Sequence, residues 1–308
     1  MTSQRLLNCH ASDFRKMNRD ELLQAIKASE GRVLVSETVC AAPPLYPGVT
    51  NQEIVTRFGA DLLLLNMFDL FNPVIAGVEF TGDASALIDY IKTLTGRPVG
   101  INIEPVDPHA KPVEQLLKLP EGRTSSEHTL SALKNIDIDF VCLTGNPQTG
   151  VTNDEIERAI KRTQALIGDD VIIIAGKMHG AGVSGEAGGL IIDLETIERF
   201  VQAGADIILI PSPGTVPGIT VDMAHQWVKQ VHQLGALAML TIGTSQEGSS
   251  AHTIEQIALQ NKMVGADLHH IGDAGYTGLA IPENITTYSI AIRGKRHTYL
   301  RMSSSPCR

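Results

Sequence analysis

The sequence predicts a single (β/α)8 barrel, and three observations carry that prediction. Short β-branched or Leu-rich runs alternate with amphipathic stretches of about 10–15 residues, the pattern of βα units on a parallel sheet. Eight such units fit in the 308 residues, close to the roughly 250 residues that a (β/α)8 barrel takes. A Gly-Ala-Asp tripeptide also recurs before the second, sixth and eighth apolar runs, at Gly59-Ala60-Asp61, Gly204-Ala205-Asp206 and Gly265-Ala266-Asp267. Asp137-Ile138-Asp139 holds the same place before the fourth. A quarter-barrel repeat produces this even-numbered phase, and an open doubly wound sheet gives no reason for it.

Each element follows in order. Arg19–Ser29 reads as a helix before the first strand, placed to close the bottom of the barrel. The strands are Val33–Glu37, Leu62–Asn66, Val99–Ile103, Phe140–Thr144, Val171–Ala175, Ile207–Pro211, Leu237–Ile242 and Leu268–Gly272. Helices start near Asn51, Asp83, Ser125, Asn153, Leu194, Val221, Ala251 and Glu283. Three of these starts carry an S/T-x-x-E capping box: Thr50/Glu53, Thr124/Glu127 and Thr152/Glu155. Such a box satisfies two orphan backbone N–H groups reciprocally. No Ser/Pro/Gly-rich linker divides the chain, so residues 1–308 read as one domain: a helical extension (1–32), the barrel (33–297) and a tail (298–308).

Composition limits the function. Hydrophobic residues make up 43% of the chain, enough for a sizeable core. The net charge of −9 argues against a nucleic-acid partner, which needs a basic face. The basic residues Arg293, Lys295, Arg296, Arg301 and Arg308 near the C-terminus read instead as a solvated helix face or a contact in a homo-oligomer. Apolar runs such as Leu62–Leu65 fall far short of the roughly 20 residues needed to span a bilayer. The N-terminal stretch carries charges throughout and lacks a signal-type apolar segment, so a cytoplasmic protein is expected. Cys9, Cys40, Cys142 and Cys307 form no C-x-x-C pair, which fits a reduced protein better than a disulfide framework or a zinc site. No nucleotide-binding motif is seen.

In such a barrel the chemistry sits where the strands end, on the C-terminal face. Lys177, two residues beyond an apolar run, would meet a low-dielectric rim. Desolvation there frees an amine for imine or base chemistry; the alternative is a Lys that holds a substrate anion or pairs with a carboxylate. His179 would share the mouth as general base or metal ligand. Glu37, Asp69 and Glu104 follow three neighbouring strands, and converging acids of this kind hold Mg2+. Glu37 and Glu104 would otherwise assist catalysis. Glycines and hydroxyls after the last two strands suit an anion, phosphate above all: Thr241, Gly243 and Thr244, then Gly272, Asp273 and Gly275. Asp273 would repel a phosphate unless a metal or sugar hydroxyl intervenes. Asn66, Asn102, Thr144 and Ser212 complete the polar ends that would meet a small anionic substrate. Of His269 and His270, neighbours in one strand, only one can face the lumen; His270 lies nearer the C-terminal end.

Several of these residues resemble a known family. Ala42-Pro43-Pro44-Leu45-Tyr46-Pro47-Gly48 looks like the PPLPG-type loop of the BtpA family, named for a photosystem-assembly factor. Asn66, Phe68 and Asp69 match its E-N-F-x-D stretch, with Leu65 in place of the acid. Pro98-Val99-Gly100-Ile101-Asn102 matches its P-V-G-hydrophobic-N strand, and Ser212-Pro213-Gly214-Thr215 is loosely similar to its S-G-P-x-T loop. The resemblance, over roughly residues 33–275, implies a barrel of the ribulose-phosphate-binding type. A second, local resemblance is to haloacid dehalogenase-like hydrolases. Asp137-Ile138-Asp139-Phe140-Val141 fits their D-x-D-x-[TV] start, which implies Asp137 as nucleophile, Lys177 as the lysine and Asp273 in the late acidic motif. Asp139 as the fourth pre-strand Asp is the competing explanation. Together these observations point to a lyase or isomerase acting beside a carbonyl. The alternatives are a phosphate hydrolase and a non-catalytic ligand-binding or assembly factor.

Overall fold

The computed structural model describes residues 4–80, 82–273 and 277–308. Eight parallel strands close in sequence order: β1 (Val33–Val39), β2 (Leu62–Asn66), β3 (Val99–Ile103), β4 (Phe140–Leu143), β5 (Ile172–Gly176), β6 (Ile207–Pro211), β7 (Leu237–Ile242) and β8 (Leu268–Ile271). β1 pairs with both β2 and β8, which seals the ring. The chain is thus a (β/α)8 barrel, as the alternation predicts. The helices are α1 (Ala11–Phe14), α2 (Arg19–Lys27), α3 (Asn51–Arg57), α4 (Ala84–Thr95), α5 (Glu127–Ala132), α6 (Asn153–Ile167), α7 (Leu194–Ala203), α8 (Val221–Gln233), α9 (Ala251–Val264) and α10 (Pro282–Met302).

Both faces of the strands are buried, in two separate cores. Val35, Leu64, Cys142, Ile174, Leu209 and Met239 fill the lumen, joined from below by Leu6, Phe14, Leu22 and Ile26 of the N-terminal segment. That segment closes the barrel bottom. Residues of opposite parity, such as Leu63, Ile101, Ile173 and Leu240, pack against the helices. Gly100 is needed in the lumen, because a Cβ there would lie 2.2 Å from the Phe140 ring.

The repeated pre-strand Asp is a clamp. Each carboxylate accepts the backbone N–H of a residue at the start of the preceding odd-numbered strand. Asp61 takes Leu34 (2.8 Å), Asp139 takes Val99 (2.7 Å), Asp206 takes Ile173 (2.9 Å) and Asp267 takes Ala238 (2.8 Å). In return each Asp donates its own N–H to the carbonyl of that same residue, at 2.8–3.0 Å. Four copies pin the N-terminal ends of β1, β3, β5 and β7, which explains the even phase of the tripeptide. Gly204 and Gly265 end their helices in the left-handed conformation, at φ 111° and 101°.

Three expectations need correction. Of the three predicted capping boxes only Thr50/Glu53 is reciprocal. Thr152 caps α6, but the Glu155 carboxylate goes to Arg158 and Arg162. At α5 the cap is Ser126, while the Thr124 hydroxyl donates to the Glu121 carbonyl. The C-terminal residues from 298 are not a free tail either: α10 runs to Met302, and Arg293 and Arg301 turn inward to Asp61. Unsatisfied guanidinium groups would not be buried, and the Asp61 carboxylate supplies their counter-charge.

Candidate functional site

Strand parity decides which side chains reach the mouth. In β1 and β8 the lumen residues are Val33, Val35 and then Glu37, and Leu268 and then His270. Glu37 Oε2 and His270 Nε2 lie 3.0 Å apart, both groups buried. Burial holds the Glu37 carboxyl well above the usual carboxylate range, and the charges of Asp273 and Glu104 add to it. Burial pushes the His270 imidazole down to about 4, against the opposing pull of Glu247 and Asp273. Both shifts disfavour the ionised forms relative to the free groups, and the contact is a hydrogen bond between the two side chains.

Beside this pair runs a ladder of amides. Asn102 donates to Asn66 Oδ1 (3.1 Å), and Asn66 donates to Asn146 Oδ1 (2.8 Å) and Asp273 (2.9 Å). Asn146 bonds Glu104 through its backbone N–H and its side chain, each at 2.9 Å. Arg123 completes the Glu104 contacts at 2.6 Å. Above the ladder opens a cavity of about 960 Å3, lined by Glu37, Asn66, Asn102, Thr144, Gly243, Thr244, Gly272 and Asp273. His179 lines it too. Its Nδ1 accepts the Ala181 N–H at 3.1 Å, and burial lowers its pKa to about 4. It is therefore neutral with a donor Nε2–H. The segment after β3 roofs the mouth, bonded to the β4 and β5 loops through Leu117 N–H to Gln148 O (2.8 Å) and Val113 N–H to Gly182 O (3.0 Å).

Other expected residues lie elsewhere or have their side chains engaged by the protein itself. Lys177 follows Gly176 with its side chain outside the ring of strands, bonded to the Val151 carbonyl (2.8 Å) and Glu186 (2.7 Å). Glu186 also accepts the Asn153 N–H at the start of α6, so Lys177 secures the β5 loop to that helix. Ser212 likewise faces outward, accepting from Asn261 at 2.7 Å. Thr241 is buried and donates to the Ile210 carbonyl at 3.2 Å. The Thr244 hydroxyl is engaged by Thr215 O and Gln246. Gly275 lies outside the described residues.

The expected metal set does not assemble. The Asp69 carboxylate turns back to the N–H groups of Phe71 and Asn72. The Glu104 oxygens are held by Arg123 and Asn146. Among the described residues no group of three or more His, Cys, Asp or Glu side chains is placed to hold a metal ion. The Glu37, Asp69 and Glu104 set is therefore not placed to hold Mg2+ together. The hydrolase constellation fails as well. Asp137 sits before β4 with Lys92, at the opposite end of the barrel from Asp273.

Three mouth residues escape a strand-end reading: Arg123, Glu247 and Met178. Arg123 and Glu247 arrive from long connections with no fixed spacing to a strand. Asn146, two residues beyond Thr144, is a strand-end position that the sequence already offers, and it lines the cavity. Among the described residues no helix is long and apolar enough to cross a membrane.

Solved structures with similar backbones are barrel enzymes. A putative fructose-1,6-biphosphate aldolase from Coccidioides immitis gives a TM-score of 0.52 at 13% identity, covering 93% of this chain and 96% of that one. 2,3-Dimethylmalate lyase, a PEP mutase/isocitrate lyase superfamily member, gives 0.49 at 15%, covering 84% and 82%. Thiamine phosphate pyrophosphorylase from Pyrococcus furiosus gives 0.46 at 11%, covering 86% and 97%. At these identities the likeness is one of fold. No curated protein matches the sequence. The family model described as a domain of unknown function, DUF7916, matches residues 7–308, and the chain belongs to that family.

Proposed function

We propose that this protein is an enzyme of lyase or isomerase type, moving a proton at a carbon next to a carbonyl in a small, oxygen-rich metabolite. The observation that carries the reading is the Glu37–His270 contact of 3.0 Å, with Glu37 on the lining of an open cavity and His270 buried behind it. Two groups sharing one proton in a dry site are suited to general acid–base work, which contributes roughly 10²–10⁴-fold. One member of the pair, as base, takes the proton from the substrate carbon while the other stays protonated, and the same base returns the proton to carbon in the reverse step. The Thr144 hydroxyl and the His179 Nε2–H would serve the oxygen on which charge develops. Asn66 and Asn102, the positions shared with the BtpA motifs, orient the substrate from β2 and β3. A carboxylate on the substrate would meet Arg123, which places the anion on the β3 side. The imine route through Lys177 is set aside by that residue's position.

The test is solvent exchange. In D2O, the protein is incubated with a panel of 2-oxo acids and ketoses, and loss of the C–H signal beside the carbonyl is followed by proton NMR. Enzyme-dependent exchange that falls at least ~100-fold in Glu37→Gln is expected. Exchange unaffected by that change would remove Glu37 from the chemistry. Tight binding of a panel member without exchange would identify a ligand-binding barrel instead.

A further inference from the structure

The β7–β8 side of the mouth is where barrels often grip phosphate, through backbone N–H groups and a helix N-terminus. Here that side carries acids. Glu247 is 3% exposed and lines the cavity beside Gly272, where a Cβ would lie 3.3 Å from Glu247 Oε1. Asp273 follows directly, with Oδ2 on Asn66. Across the cavity, Asn102 and Thr144 are each 2% exposed, and their Oδ1 and Oγ1 atoms have no hydrogen-bond partner among the described residues. Buried polar atoms of this kind are satisfied by something, and both line the cavity. Asn102 Oδ1 and ionised carboxylates can only accept hydrogen bonds. Arg123 is the sole Arg or Lys among the described lining residues; its Nη2 pairs with Glu104, and its Nε, without a partner among the described residues, is left for a substrate oxygen on the β3 side, away from β7 and β8.

Resting on the proton-transfer reading above, we propose that the β7–β8 side takes the hydroxyl-bearing end of an unphosphorylated polyhydroxy carbonyl compound and excludes its phosphate ester. A hydroxyl donates to Glu247, Asp273 or, across the cavity, Asn102 Oδ1, and can still accept a hydrogen bond. A phosphate dianion only accepts, so it would meet acceptors and like charge together. The sequence suggests a phosphate grip here because its glycines and hydroxyls are present. Thr244, however, is spent on Thr215 O, and Glu247 stands in the space.

The experiment measures binding, independently of turnover. Matched pairs are titrated by calorimetry and ligand-observed NMR: D-glyceraldehyde with its 3-phosphate, D-fructose with its 6-phosphate, and 2-keto-3-deoxygluconate with its 6-phosphate. Inorganic phosphate is titrated alone. The expected result is that at least one unphosphorylated member binds tenfold or more tighter than its ester, while inorganic phosphate does not bind. In Glu247→Gln the discrimination should narrow at least tenfold; Asp273→Asn provides the same reading if the first variant does not fold by circular dichroism. Esters binding as well as their partners, or no unphosphorylated member binding at 100 mM, would overturn the proposal. Hydroxylated ligands that bind without hydrogen exchange would instead refute the catalytic reading and leave this one standing.

Discussion

His269 and His270 are consecutive in β8, yet their imidazoles lie on opposite faces of that strand. His270 Nε2 meets Glu37 in the lumen, whereas His269 reaches the Gly31 carbonyl (3.0 Å) and the Tyr288 hydroxyl (3.2 Å) beneath the helices. The two should therefore separate function from stability. His270→Gln is expected to abolish hydrogen exchange while urea unfolding stays close to wild type. His269→Leu is expected to keep exchange and cost about 1–3 kcal/mol, because it strips partners from buried polar groups. Exchange lost in the His269 variant and kept in the other would invert the site.

Glu37 should also leave a signature in the pH dependence of stability. Its folded pKa is raised above the unfolded value of 4.5. Its contribution is then complete below 4.5 and is lost as pH rises through the folded value. Gln keeps the shape without titrating. Glu37→Gln should therefore gain stability relative to wild type as pH increases from 5 to 9, read by urea unfolding at each pH. A constant difference across that range would show that Glu37 does not hold its proton in the folded protein.

Lys177 gives a third expectation. Its ammonium is 1% exposed and pairs with Glu186, which is 23% exposed. Burial lowers its pKa, and Glu186 opposes that shift. Lys177→Met removes the tie between the β5 loop and α6, at a cost of about 2 kcal/mol, below the range for fully buried pairs because Glu186 keeps some solvent. Hydrogen exchange should survive. Borohydride in the presence of dihydroxyacetone or pyruvate should add no mass at Lys177. A trapped adduct there would restore the imine route.

The strands were legible because short apolar runs bounded by turn residues survive burial on both faces. That same burial hid the facing of the residues beyond them. In a parallel barrel strand both parities are apolar, so no period-two contrast marks the lumen. Lys177 and Ser212 each fall one residue out of phase with the lumen positions Ile174 and Leu209, which turns both outward. Glu37, Asn66, Asn102 and His270 fall in phase and converge. Arg123 and Glu247 were hidden for another reason, since they reach the mouth from connections whose path tertiary packing sets. The Asp echo was visible as a phase, but its cause lies in backbone N–H groups that no side-chain pattern displays.

The four clamps provide the last prediction, since equivalent positions face different charges. Asp61 is fully buried; burial alone would raise its pKa, but Arg293, Arg301 and the Leu34 N–H outweigh that and hold it below 3.8. Its contribution is present above 3.8 and lost as pH falls through the folded value. At Asp139 burial wins over Lys92 and the Val99 N–H, so its pKa is raised. That contribution is complete below 3.8 and lost as pH rises. Asn can still accept the strand N–H at either position. At pH 7 Asp61→Asn should cost about 3–5 kcal/mol, because two buried guanidinium groups lose their counter-charge. Asp139→Asn should cost about 1 kcal/mol or less, because the folded state already favours a neutral group there. Urea unfolding of both variants decides the matter: equal losses would mean that the clamp acts through its backbone hydrogen bond alone, with no charge contribution from the arginines of α10.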